Sequence, residues 1–253
     1  TDAVHQSGGK ICLQILHGGR YSYHPFNVAP SALKTAINRF KPRALSTRGV
    51  AKTVRQYAEC AKFAQIAGYD GIEIMGSEGY LINQFLVTET NQRKDKYGGS
   101  FENRMRFPLQ IIAQIRETVG PDFALIFRLS MLDLVKQGCD WSEVVKFAKA
   151  LELAGIDAIN TGIGWHEARI PTIATLVPRG GFAFVTKKLM GQVNVPLITT
   201  NRFNTIEACE SALQDGCADM VSMARPFLAD PEIVNKSIEH PELVNTCISC
   251  NQA

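Results

Sequence analysis

Ala67-Gly-Tyr-Asp-Gly-Ile-Glu-Ile-Met75 compresses a helix end, a turn and a strand into one short stretch. Val50 to Ala67 carries apolar residues at helical spacing, and Gly68 stops it because glycine accepts the left-handed cap. Asp70 then leads into the apolar run Gly71–Met75. The same punctuation returns at Ala154-Gly-Ile-Asp157 and at Asp215-Gly-Cys-Ala-Asp219. A turn repeated in this way marks a repeated strand–helix unit.

Working outward, strand-like and helix-like segments alternate along the whole chain. Six strands are expected, at 11–16, 71–75, 124–130, 158–162, 196–200 and 218–222. Helical spacing covers Val50–Ala67, Phe101–Val119, Trp141–Ala154, Phe184–Met190 and Thr205–Asp215. Alternation of this kind gives an α/β fold with parallel strands. No strand is followed by Gly-x-Gly-x-x-Gly, and polar residues close nearly every strand, which favours a (β/α)8 TIM barrel over an open doubly wound sheet. Two further strands would complete eight, so the first two βα units are expected before residue 1. The opening residues look like the tail of a helix, and the chain reads as an excerpt of a longer protein. The expected organisation is a barrel over 1–240 and a cysteine-bearing segment over 241–253.

Composition sets bounds. The 253 residues are 45% hydrophobic and 20% charged, with a formal net charge of +3. That charge is too small to argue for nucleic acid, and no Lys/Arg run with interleaved aromatics stands out. A local basic patch for an anionic small substrate is neither supported nor excluded by it. No stretch approaches the roughly 18 apolar residues of a membrane span. Of the seven cysteines, five are scattered and read as reduced, inert thiols of a cytoplasmic protein. Cys247 and Cys250 form a Cys-x-x-Cys pair, which fits half a zinc site, a redox pair or part of an iron–sulfur site.

In a TIM barrel the C-terminal strand ends build the active site. Here they carry Gln14 and His17, Met75-Gly-Ser-Glu78, Arg128 and Ser130, Asn160-Thr-Gly162, Thr199-Thr-Asn-Arg202 and Ser222-Met-Ala-Arg225. Burying so many polar groups is costly unless a ligand satisfies them, so the set points to a polar ligand. The end of the last strand, followed by a short helix before Asp230-Pro231, suits a phosphate held by backbone N–H groups and a cation. Arg225, Ala224 and Arg202 are the candidates, although Arg202 reads no differently from a solvated loop arginine. Gln14 offers an amide that both donates and accepts. Arg128 offers a cation for developing negative charge, its alternative being an ion pair inside the barrel.

Gly76-Ser-Glu-Gly-Tyr-Leu-Ile-Asn-Gln-Phe85, Thr90-Asn-Gln-Arg93, Tyr97-Gly-Gly-Ser100 and Glu102-Asn-Arg-Met-Arg106 follow one another in order. Together with Leu13-Gln-Ile-Leu-His17-x-Gly-Arg20 and Ser222-Met-Ala-Arg-Pro226, they resemble the old yellow enzyme family of flavoproteins over essentially the whole chain. Many members place His-x-x-His or His-x-x-Asn where this sequence has Met75 and Glu78. That departure, Thr161-Gly-Ile-Gly-Trp-His-Glu-Ala-Arg169 and the terminal Cys-x-x-Cys resemble the 2,4-dienoyl-CoA reductase branch. Val87-Thr-Glu89 departs from the family pattern.

The resemblance implies FMN, contacted by Gln14 and Arg128, with Arg202, Ala224 and Arg225 at its phosphate. It implies Tyr80 and His166 as a proton-delivery pair, and Glu167, Ala168 and Arg169 as substrate contacts, Arg169 near the thioester carbonyl or a CoA phosphate. Cys247 and Cys250 would begin a 4Fe-4S motif, Cys-x2-Cys-x3-Cys. FAD and NADPH domains would lie C-terminal to residue 253, and the substrate would be an acyl-CoA. Competing readings are a relative that reduces free enones, one that oxidises alkylamines, or a flavinless barrel that binds phosphorylated ligands.

Overall fold

The computed structural model describes residues 1–250. Asn251–Ala253, the end of the expected cysteine segment, lie outside the described residues. The strands are β1 (Cys12–Ile15), β2 (Val28–Ala29), β3 (Arg43–Ala44), β4 (Gly71–Gly76), β5 (Ala124–Leu132), β6 (Ala158–Ile163), β7 (Leu197–Thr199) and β8 (Met220–Val221). The helices are α1 (Asp2–Gln6), α2 (Thr47–Ile66), α3 (Leu81–Leu86), α4 (Phe101–Val119), α5 (Trp141–Leu153), α6 (Ala183–Leu189), α7 (Ile206–Gln214), α8 (Arg225–Ala229) and α9 (Ile233–Glu239). Six strands form one parallel sheet in the order β1-β4-β5-β6-β7-β8. These are the six expected from sequence, in successive βα units of a TIM barrel. Among the described residues, β1 and β8 do not pair with each other. No sequence pattern announces β2 and β3, a two-residue parallel ladder in the long β1–α2 connection.

The repeated Gly–Asp turn has a specific role. Gly68, Gly155 and Gly216 adopt left-handed φ values of 80°, 93° and 64°. Each following Asp then clasps the start of a neighbouring strand in both directions. Asp70 N–H donates to the Ile11 carbonyl at 2.9 Å, while Ile11 N–H donates to the Asp70 carboxylate at 2.8 Å. Asp157 makes the same reciprocal pair with Leu125, and Asp219 with Leu197. These clasps fix strand register at the bottom of the sheet, and a one-residue slip would break both bonds.

Helix starts are equally explicit. Ser46, Ser100 and Thr205 each accept a hydrogen bond from a first-turn N–H, and Asp140 with Glu143 forms a complete capping box. The apolar faces of α2 and α4 pack on the sheet around fully buried Ile72, Ile74, Ile111, Ile112, Phe107 and Phe127. Buried Arg104 in α4 ties α3 to α5 by donating to the Leu86 carbonyl and pairing with Glu143. No helix among the described residues is long and apolar enough to cross a membrane.

The Ile11 N–H bond, then His5 and Lys10, hold the Asp70 carboxyl well below the usual range. A depressed folded pKa gives stability that is present above the unfolded value, about 4, and is lost as pH falls through the folded one. Asp70→Asn should therefore lower Tm at neutral pH, with the gap to wild type closing on acidification; a gap constant with pH in thermal melts contradicts this account.

Candidate active site

The C-terminal strand ends open onto two adjoining cavities of about 410 and 400 Å3. Glu78, Arg128, His166, Thr200, Ser222, Met223 and Ala224 line both. Pockets of this size are typical for small molecules and cofactors.

The floor is a polar chain across the strands. Gln14 Nε2 donates to Glu73 Oε1 at 2.6 Å, and Asn160 Nδ2 donates to Glu73 Oε2 at 2.7 Å. Ser222 Oγ donates to Asn160 Oδ1 at 3.4 Å. Sequence reasoning did not single out Glu73, although a carboxylate inside Gly-Ile-Glu-Ile-Met was the available signal. Its two oxygens orient both amides, so that each offers its remaining groups to the cavity.

Arg128 enters the ion pair that its sequence left open as an alternative. Its Nε and Nη2 donate to Glu78 Oε1 at 3.1 and 2.9 Å. Nη1 has no hydrogen bond among the described residues, and the guanidinium still lines both cavities. Burial opposes its charge, but the Glu78 carboxylate outweighs that and raises its pKa. Glu78 holds a left-handed φ of 52° and accepts a 2.5 Å bond from Ser77 Oγ. Left-handed backbone is uncommon outside glycine, and it is retained where surrounding structure over-determines it.

Tyr80, the residue before α3, and His166, after β6, meet beside this ion pair. Tyr80 Oη lies 2.8 Å from His166 Nε2. Burial, and then the Glu78 carboxylate, push the Tyr80 phenol above its usual value of about 10. Tyr21 packs edge-on against both rings, at 6.1 and 5.6 Å between centroids. Its own pKa is raised by burial and by Glu167.

One buried carboxylate anchors both loops. Asp133 Oδ1 accepts from Asn83 Nδ2 at 3.0 Å, from Trp165 Nε1 at 2.8 Å and from Ser130 Oγ at 2.7 Å. Its Oδ2 accepts from Cys139 N–H at 2.8 Å. Asn83 in turn accepts from Gly79 N–H, directly before Tyr80, while Trp165 directly precedes His166. Asp133 carries no motif, and a polar residue after a strand looks like any turn residue.

The remaining expected residues divide. Glu167 pairs with buried Arg20 at 2.6 Å, so its carboxylate is engaged within the protein. Ala168 lines the larger cavity, whereas Arg169 and Glu89 are exposed and line neither cavity. Arg202 is buried, which separates it from a solvated loop arginine. It donates to the Val177 carbonyl at 2.8 Å and to Ser249 Oγ at 2.5 Å. Burial, and then Arg225, lower its pKa, and neither arginine has a carboxylate partner among the described residues. Asn201 and Arg202 both sit in left-handed backbone, at φ 71° and 64°. Ala224 lines both cavities beside them. Two arginines held together without a counter-charge form a cradle for an anion.

This residue set fits FMN: a cationic cradle for a phosphate at one end, and oriented amides with a partly free guanidinium at the other. For an iron–sulfur cluster the described residues are insufficient. Cys247 and Cys250 lie on a segment docked by Asn204 and Thr175, and no group of three His, Cys, Asp or Glu occurs there.

The family model for the NADH:flavin oxidoreductase / NADH oxidase family matches residues 1–243. A metal reductase of Desulforamulus reducens is 41% identical, over all of this chain and 38% of its own length. An NADH oxidase of Thermoanaerobacter brockii is 37% identical, over 99% of this chain and 40% of its own length. A solved complex of 2-naphthoyl-CoA reductase with 2-naphthoyl-CoA superposes with a TM-score of 0.95 at 32% identity, covering 99% of this chain and 41% of that one. The chain thus spans about two fifths of the length of these relatives.

Trp165→Phe keeps an aromatic ring but removes the N–H that Asp133 accepts. It should cost about 1–2 kcal/mol of stability and release the His166 loop, seen as altered His166 ring-nitrogen resonances; resonances identical to wild type would show that Asp133 does not hold this loop.

Proposed function

This chain belongs to the NADH:flavin oxidoreductase / NADH oxidase family, and from that premise we propose that it is the FMN and substrate module of a reductase acting on carbon–carbon double bonds conjugated to an acyl-CoA thioester, 2,4-dienoyl-CoA in particular. The observation that carries this reading is the 2.8 Å Tyr80–His166 contact at a cavity bordered by Arg128. Support also comes from the absence of the His-x-x-His or His-x-x-Asn clamp at Met75 and Glu78, and from the likeness to a protein solved with a CoA thioester.

Bound FMN supplies the hydride for such a reduction. Arg202, Arg225 and the Ala224 backbone are the residues to hold its phosphate, and Gln14 and Arg128 those for the pyrimidine edge. The chain's own contribution to the chemistry is a proton. A phenol with a raised pKa stays protonated at neutral pH and can pass its proton to a carbon next to the thioester carbonyl. One hydride and one proton reduce the conjugated diene to a single double bond, and the two electrons consumed in each turnover come from the external electron donor that reduces FMN. His166 orients the phenol and provides the route by which the proton is replaced. Ala168 borders the acyl chain. Glu167 acts through Arg20, and Arg169 is left for a more distant part of the substrate. The 4Fe-4S, FAD and NADPH relay needs thiolates beyond Cys247 and Cys250 and stands apart from this proton chemistry.

The full-length protein should be yellow, with absorbance near about 450 nm that dithionite bleaches. Tyr80→Phe should lower kcat for a dienoyl-CoA by about 10²–10⁴-fold and leave flavin reduction by the electron donor unchanged. Colourless protein that rejects FMN, or full turnover without the phenol, defeats the proposal; oxidation of methylamines in the same substrate panel would favour the amine-oxidising alternative.

A second outcome follows from Glu78. Activity of a phenolic acid is lost as pH rises through its pKa. Removing the carboxylate that raises this pKa should move the alkaline limb of the pH–rate profile to lower pH. Glu78→Gln tests the sign, and a limb that stays put or moves upward would separate Tyr80 from that limb.

A further inference from the structure

The formal charge of +3 conceals an uneven distribution. Between Asp2 and Glu59 the chain has nine Lys and Arg and no Asp or Glu. Lys34, Arg39, Lys41 and Arg43 on the β1–α2 connection and Arg48 in the first turn of α2 are exposed, and none has an ion-pair partner among the described residues. Aromatics are interleaved with them, Phe40 within Arg39-Phe-Lys-Pro-Arg43 and Tyr23 and Phe26 from further along the chain. The Arg39 guanidinium lies 5.3 Å from the Tyr23 ring centroid and 4.7 Å from that of Phe40, and Arg43 lies 5.7 Å from Phe26. Tyr23 and Phe26 are 67% and 69% exposed, too open for a packing role.

This is a built surface. Buried Asn38 donates to the carbonyls of Arg20 and Ser22, at 3.0 and 2.9 Å, and buried Asn27 donates to that of Arg20. Arg93 holds the Pro30 carbonyl at 2.9 Å, and the β2–β3 ladder sets Arg43 opposite Val28. The frame also fixes where the patch lies. Its anchor, Arg20-Tyr21, touches the Tyr80 and His166 rings, and Tyr23 is two residues further on, at most about 7 Å along the chain. The patch thus begins two residues from a side chain that packs on the proton-delivery pair, while lining neither cavity itself.

An arginine whose face is stacked on an aromatic ring keeps its N–H edges for planar, two-point recognition of phosphate. An exposed ring beside it can stack a nucleobase. We propose that Tyr23, Phe26, Arg39 and Arg43 form the binding site for the nucleotide end of a coenzyme A thioester, its phosphates on the arginines and its adenine on the open rings. The inference rests on the acyl-CoA reading above and adds to it the residues that choose a CoA thioester over a shorter one. The short chain connection from Tyr23 to Tyr21, which packs on Tyr80 and His166, favours this occupant over nucleic acid or an anionic membrane.

The test uses full-length protein, a dienoyl-CoA and the matching N-acetylcysteamine thioester, which lacks every phosphate. Arg39→Ala/Arg43→Ala should raise KM for the CoA thioester by at least about tenfold and weaken its dependence on salt. Turnover number and KM for the short thioester should stay at wild-type values, which also shows that the variant is folded. Lys149→Ala, an exposed cation on α5, should change neither. An unchanged KM for the CoA thioester, or an equal rise for both thioesters, overturns the proposal while leaving the reductase reading intact. If wild type reduces neither thioester, the reductase reading fails, and calorimetry with free coenzyme A still decides the site. Loss of that binding in the double variant supports it, and retention overturns it. Weaker oligonucleotide binding in the double variant with coenzyme A affinity unaltered also overturns it.

Discussion

Two loops from strands that are not neighbours in the sheet must present a phenol and an imidazole within one hydrogen bond of each other. Asp133 is the constraint that makes this possible. A buried carboxylate with no cation beside it is stable only if donors surround it, and four donors do so. Two of those donors are the side chains that steer the segments bearing Tyr80 and His166. The cost of burying a charge is thereby turned into positional precision, since loosening either loop would leave an acceptor unsatisfied in a dry environment.

Electrostatic organisation across the mouth follows a gradient of pairing. At one end Arg128 and Glu78 neutralise each other in part, and Glu73 shares its charge between two amides. At the other end Arg202 and Arg225 have no acidic partner among the described residues, and Arg202 is buried regardless. A molecule that is anionic at one terminus and a hydrogen-bonding heterocycle at the other meets complementary groups throughout. A molecule with the reverse polarity would leave the cationic end uncompensated.

The fold is legible in the sequence because each unit repeats its own punctuation. Gly68, Gly155 and Gly216 with their following aspartates stand out from the order of residues alone, whereas the capping roles of Ser46, Ser100 and Asp140 are seen only in the structure. What is not legible depends on partners far apart in sequence. Asp133 gathers donors from residues 83 to 165, and Arg39 stacks on Tyr23, so local patterns contain neither arrangement. The expectation that no basic run carries interleaved aromatics passes over the short Arg39-Phe-Lys-Pro-Arg43, and Tyr23 and Phe26 join it only in space. The Tyr80–His166 pairing is accessible only through the family resemblance, because an isolated tyrosine and histidine 86 residues apart carry no spacing signal. The β2–β3 ladder escapes sequence reading because two residues cannot display a period.

The aspartate clasps have a mechanical corollary. They join β1 to β4, β5 to β6 and β7 to β8, while the β4–β5 and β6–β7 seams have only ordinary ladder bonds at the same level. The sheet is thus three riveted doublets set edge to edge. Breathing of the barrel should take place as tilting of whole doublets, and amide exchange should begin along the two unriveted seams. The seam between β4 and β5 runs directly beneath the Glu78–Arg128 pair, so a guest that prises those two side chains apart acts where the staves are already free to spread.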